Sequence, residues 1–170
     1  MRSKEQVLVL QFDGLHENVS HHWHTFLKIN MWSLVKKTIV LMLTRNMHSC
    51  EFKNSLLRWI GVNIGKDVFI AASAMLDPQF TELITIEDNV IIGMSSHIFT
   101  HEVTHTHIRL GKVHIGKNAL VGALSTLRSG VSIGANSVVA MDAFVTQDVP
   151  FQTLILGVPP QAIKKISGIL

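Results

Sequence analysis

The chain has 170 residues, 47% of them hydrophobic, a formal charge of +3, one cysteine and no tyrosine. That is enough for one domain with a sizeable core; one cysteine excludes a disulfide framework, and the modest charge and few aromatics argue against nucleic-acid binding. No apolar run is longer than that of Ile39 to Leu43, whereas a membrane-spanning helix needs about 20 such residues.

The first apolar stretch, Val7 to Leu10, is too short for a signal-peptide core, and no small-residue cleavage site follows it. Together with the lone Cys50, this points to the cytoplasm. From about residue 19 to 47, apolar side chains including Phe26, Leu27, Ile29, Leu34 and Val35 fall at helical spacing, and Asn18 or Ser20 can cap the start. The expectation is one or two helices packed on the rest of the fold or on a neighbouring subunit. A helix lying in a membrane interface, with Trp32, Lys36 and Lys37 near its middle, is the alternative. The run His21-His-Trp-His24 reads as exposed side chains rather than as a metal site.

Beyond residue 56 a period of six takes over. Ile115, Val121, Leu127, Ile133, Val139 and Val145 are all aliphatic. Four positions after each come Ala119, Ser125, Val131, Ser137, Ala143 and Val149, all small or β-branched, and Gly is favoured one position after. Ile64, Ile70 and Leu76, and again Ile86, Ile92 and Ile98, keep the same step. A six-residue period fits neither one amphipathic helix nor one long strand. It fits short straight segments joined by corners, each sending one aliphatic inward, with glycine tolerating the tight corner. An ordinary β-sandwich would not hold phase over six repeats.

The repeat breaks twice before residue 145, near 77–85 and near 99–112. The first break begins Leu76-Asp77-Pro78; the second holds His101, His105 and His107, with His97 before and His114 after. Loops on a rigid repeat scaffold are where chemistry sits. Two chemistries can use the histidines: an imidazole can act as general base near neutral pH, or His101, His105 and His107 can ligate zinc. Asp77 reads equally as a contact to a substrate and as a turn-capping residue before Pro78.

Residues 57–166 resemble the hexapeptide-repeat acyltransferases, in particular the maltose, galactoside and nodulation acetyltransferase group. The matching pieces are Gly61-Val-Asn-Ile-Gly-Lys66, Ile84-Thr-Ile-Glu-Asp-Asn-Val-Ile-Ile-Gly93, Val131-Ser-Ile-Gly-Ala-Asn-Ser-Val-Val139, Val145-Thr-Gln-Asp-Val-Pro150 and Gly157-Val-Pro-Pro160. The resemblance implies an all-β left-handed parallel β-helix over 57–156, an N-terminal helical extension over 1–56 and a short capping helix over 157–170. It also implies a homotrimer with sites between subunits, acetyl-CoA as co-substrate without a metal, and O-acetylation of a small hydroxyl acceptor such as a sugar. His101, after Thr100, inherits the catalytic base; Asp77, with His105 and His107, falls to the acceptor side. The coenzyme residues fall on Ala123, Met141, Thr146, Gln147, Gln161 and Lys164. Gln147, Gln161 and Met141 depart from the family pattern, where Lys, a basic residue and a small residue are usual. A γ-class carbonic anhydrase shares the fold, but its histidine spacing is not matched here, since no histidine lies between 49 and 96. A non-catalytic trimeric scaffold is the third reading.

Overall fold

The computed structural model describes residues 7–11, 30–104 and 106–157, and the backbone of 161–165. His21, His22, His24 and His105 lie outside the described residues.

The six-residue step becomes a parallel β-helix with three faces. One face stacks Asn63–Ile64, Ile84–Ile86, Val113–Ile115 and Ser132–Ile133. The second stacks Phe69–Ile70, Ile91–Ile92, Leu120–Val121, Val138–Val139 and Thr153–Leu156. The third stacks Met75–Leu76, His97–Ile98, Thr126–Leu127 and Phe144–Val145. In each two-residue strand the second side chain points inward, so every aliphatic of the periodic track is buried. Ile64, Ile86, Ile115 and Ile133 form one column, register-paired coil on coil. The small-residue track is buried at the corners: Ala119, Ser125, Ser137 and Ala143 are nearly or fully inaccessible. No turn is stable alone, because each column is completed only by the coils above and below.

The glycines act differently from the expectation of a tight corner conformation. After the strands of the first two faces the left-handed backbone falls three positions beyond the inward aliphatic, on Asp67, Ser73, Asn89, Ser95, Asn118, Leu124, Asn136 and Asp142, and on the third face it falls on Gly130 after Leu127. Asn and Asp tolerate that region best among non-glycine residues, and Asn89, Asn118 and Asn136 also hydrogen-bond one to the next up the corner. Gly93 and Gly122 are needed instead for close stacking. A Cβ on Gly93 would meet the Ala123 amide nitrogen at 2.4 Å, and one on Gly122 the Met141 nitrogen at 2.5 Å.

Two helices precede the coils, α1 (Met31–Arg45) and α2 (Glu51–Trp59). The Asn30 side chain caps α1 by accepting from the Trp32 and Ser33 amides. Helix α2 closes the open end of the β-helix. Lys53 Nζ donates to the carbonyls of Ile70 (2.9 Å) and Ala71 (3.0 Å), Asn54 Nδ2 to Val68 O (2.8 Å), and Arg58 to Ile64 O and Gly65 O. These first-coil carbonyls would otherwise be an unpaired sheet edge. Burial pushes the Lys53 ammonium below its usual range, against a smaller opposing influence from Cys50.

The N-terminal segment is not purely helical. Val7–Gln11 is a strand that pairs antiparallel with His107–Gly111, from Val7 opposite Gly111 to Gln11 opposite His107. At the other end, the expected capping helix is corrected. Gln161–Lys165 is a strand antiparallel to Thr153–Leu156. Lys164 lies opposite Leu154 and Gln161 opposite Leu156. The exposed strand edge of the last coil offers backbone partners that outweigh the local helical pattern. Among the described residues no helix is long and apolar enough to cross a membrane.

Candidate active site

Leu76 and Ile98 are register partners on the third face, so the two breaks in the repeat leave the β-helix at the same corner. The first break runs through Asp77 and Pro78 into a short 3-10 turn, Thr81–Leu83. The second rises as a β-hairpin of His101–Val103 and His107–Gly111. Asp77 and His101 are brought together there although they are 24 positions apart.

Asp77 is 2% exposed. Its Oδ2 accepts from the Thr100 amide at 3.0 Å, the Thr100 hydroxyl at 2.7 Å and His101 Nδ1. Its Oδ1 accepts from the Gln79 amide at 2.9 Å, so the turn-capping reading also holds. Burial works against the charge on Asp77, but the His101 hydrogen bond and charge, the Thr100 hydroxyl and the Gln79 amide outweigh it. The carboxyl is held below the ordinary Asp value. A carboxylate at Nδ1 fixes the imidazole tautomer that donates from Nδ1 and carries its lone pair on Nε2. The His101 side chain is 21% exposed and meets the Phe80 ring edge-on at 5.6 Å. A cavity of about 280 Å³ opens beside it, lined by Asp77, Pro78, Phe99, His101, Glu102 and Val103 among others.

Glu102, the next residue, was not legible as a site residue. It receives Arg128 Nε and Nη2 at 2.8 to 3.0 Å and the Ser129 hydroxyl at 2.6 Å, and Arg109 lies at 4.0 Å. Burial raises its pKa, but these partners outweigh that and hold the carboxyl below its ordinary value. The reciprocal pairing raises Arg128. This knot ties the hairpin to the next coil one residue from His101. The available signal was Arg128 itself, which stands where the repeat favours glycine.

Among the described residues, the other histidines make their contacts elsewhere. His97 stacks on Phe99 with centroids 6.0 Å apart. His107 belongs to the hairpin turn, bonded to Thr104 and Thr106, and His114 pairs with Glu87 at 3.0 Å. Among the described residues, no three His, Cys, Asp or Glu side chains are grouped to hold a metal ion. Gln161 and Lys164 lie on the terminal strand beside Thr153–Leu156, and the other four coenzyme candidates divide between two corners of the third face. Ala123 and Met141 stack on the corner before it, where the Asp142 amide donates to Ala123 O. Thr146 and Gln147 follow Phe144–Val145 on the corner after it. Met141 is 66% exposed.

Residues 112–147 match a family model described as hexapeptide repeat of succinyl-transferase. The chain is 34% identical over 142 residues to a protein of Bacillus subtilis (strain 168) named "Putative acetyltransferase YvoF", with 83% of each chain covered. In structure it is similar to a hexapeptide-repeat acetyltransferase of Vibrio cholerae O1 biovar eltor complexed with acetyl coenzyme A. That match has a TM-score of 0.65 and 19% identity and covers 89% of this chain and 93% of that one. It is also similar to a maltose O-acetyltransferase of Clostridium difficile 630, with a TM-score of 0.63 and 21% identity over 86% of this chain and 91% of that one. Both likenesses speak to the fold, a left-handed parallel β-helix. With the repeat in the core and a relative at this identity and coverage, the chain belongs to the hexapeptide-repeat acetyltransferase family.

Proposed function

We propose that the protein transfers an acetyl group from acetyl-CoA to a hydroxyl of a sugar or similar small acceptor, with His101 as general base. The observation that carries this reading is the Asp77–His101 pair at the mouth of the cavity. Asp77 holds the Nδ1–H tautomer, so Nε2 is the basic nitrogen. The acceptor oxygen attacks the thioester carbonyl as its proton passes to Nε2; the C–O bond forms, the C–S bond breaks, and the proton leaves with the thiolate. Cys50 is exposed and lies between the two helices, outside the repeat, so direct transfer without an acyl-enzyme is the route. Asp77 thus acts on His101 rather than on the acceptor.

The coenzyme side of the proposal keeps Ala123, Met141, Thr146, Gln147, Gln161 and Lys164, with a second subunit completing the groove. A homotrimer is part of the same reading. It is supported by the outward side chains of the second face, where Phe69 and Ile91 are 46% and 45% exposed and Leu120, Val138 and Leu154 continue the apolar ladder. The test is thiol release from acetyl-CoA with a panel of hydroxyl acceptors. Wild-type protein should release thiol in an acceptor-dependent way, and His101→Ala should lose that activity. Undiminished turnover in His101→Ala sinks the assignment.

A further inference from the structure

The cavity beside His101 does not end at the hairpin. A second cavity of about 170 Å³ lies between α1 and the first coil, lined by Thr38, Leu41, Met42, Arg45 and Ala74, and it shares Met75, Leu76 and Pro78 with the first. The two abut at these three residues, with the imidazole lining the first and Arg45, at the last turn of α1, lining the second. Their walls are apolar: Met75, Phe99 and Val103 are 43%, 39% and 39% exposed, and Met42, on the helix side, is 70% exposed.

The carboxylates that line the first cavity are already engaged within the protein. The two oxygens of Asp77 accept from Thr100, His101 and Gln79. Those of Glu102 accept from Arg128 and Ser129. A site for a bare sugar presents polar groups directed at several hydroxyls; these cavities place apolar walls there instead. Arg45 is exposed and makes no ion pair among the described residues. A guanidinium beside an apolar cavity favours a carboxylate, sulfate or phosphate.

We infer that the acceptor is an anionic amphiphile: its hydroxyl, sugar-borne or not, sits at His101, its apolar body lies over Met75 and Pro78, and its anionic group meets Arg45. This rests on the acetyl-transfer reading above and narrows its acceptor class. The step balances as before, with the amphiphile's hydroxyl oxygen forming the ester bond and its proton leaving with the thiol.

The experiment uses the full chain with acetyl-CoA and three acceptors, ω-hydroxyoctanoate, octanediol and maltose. The expected result is a kcat/KM for ω-hydroxyoctanoate about tenfold above octanediol and further above maltose. The preference over octanediol should collapse to about unity in Arg45→Gln. Maltose used as well as ω-hydroxyoctanoate, or a preference that survives Arg45→Gln, overturns the inference. Calorimetric binding of ω-hydroxyoctanoate to His101→Ala protein separates the two readings. Binding there without thiol release by the wild type keeps the acceptor site and removes the transfer; no binding removes the site whatever the turnover.

Discussion

Asp77 lies wholly buried beneath His101 and takes the ring's Nδ1–H on the same oxygen that receives the Thr100 amide and hydroxyl. The arrangement orients the ring and selects its tautomer. Asp77→Asn keeps the shape but can donate to Nδ1, which turns the basic lone pair away from Nε2. The expected outcome is a fall in kcat of about 10²–10⁴-fold with little change in KM, read by steady-state thiol release. A variant that changes KM and spares kcat would show that Asp77 serves binding instead.

The same carboxylate makes stability depend on acid. Its folded pKa lies below the ordinary Asp value of 3.8, so the unfolded chain takes up its proton first as pH falls. The stabilisation is therefore complete above the ordinary value and is lost as pH falls through the folded one. Glu102, also lowered, acts in the same direction. Urea unfolding of wild type and Asp77→Asn should differ by a constant amount near neutrality, and the difference should shrink below about pH 4. A difference that grows in acid contradicts the assigned direction.

Lys53 is 2% exposed and ties α2 to the first coil through the Ile70 and Ala71 carbonyls. Lys53→Met fills much of the same volume but leaves those carbonyls without their donor. The expected loss is about 2–3 kcal/mol, measured by chemical denaturation. Hydrogen exchange should quicken first in α2 and the first coil, since the cap is local to that end.

Leu124 occupies a left-handed corner with φ of 62°, where the equivalent corners carry Asp, Asn or Ser. That conformation costs an L residue with a bulky side chain roughly 1–2 kcal/mol, and Leu124 is 54% exposed, so little packing offsets it. Leu124→Asn should raise stability by about 1 kcal/mol, seen as a higher Tm. A lower Tm would mean that the leucine packs against another subunit.

Much of the β-helix was legible because its signal is local and repeated. Inward direction at Ile115, Val121 and Leu127 is dictated by a corner every six residues, and burial of those side chains is the only way to stack the turns. The histidine-bearing insertion was legible for a related reason: it interrupts the period, and an interruption shows without coordinates, whereas the choice of His101 within it rests on the family resemblance. The role of glycine was misread, because close approach between Gly122 and Met141 is a property of two coils, not of one corner. The terminal strand Gln161–Lys165 was misread as a helix because its partner edge, Thr153–Leu156, exists only once the last coil is stacked.

By itself the amino-acid sequence determined the coil period, the inward columns and the place where the repeat yields to a histidine-bearing insertion, since these follow from side-chain polarity along one stretch of chain. Only the tertiary structure decided that Asp77 bonds to His101 Nδ1, that Arg128 and Ser129 hold Glu102 beside it, and that α1 lines a cavity abutting theirs. The register of Met75–Leu76 against His97–Ile98 brings both breaks to one corner, and contacts between coils depend on that register rather than on the spacing of residues within either segment.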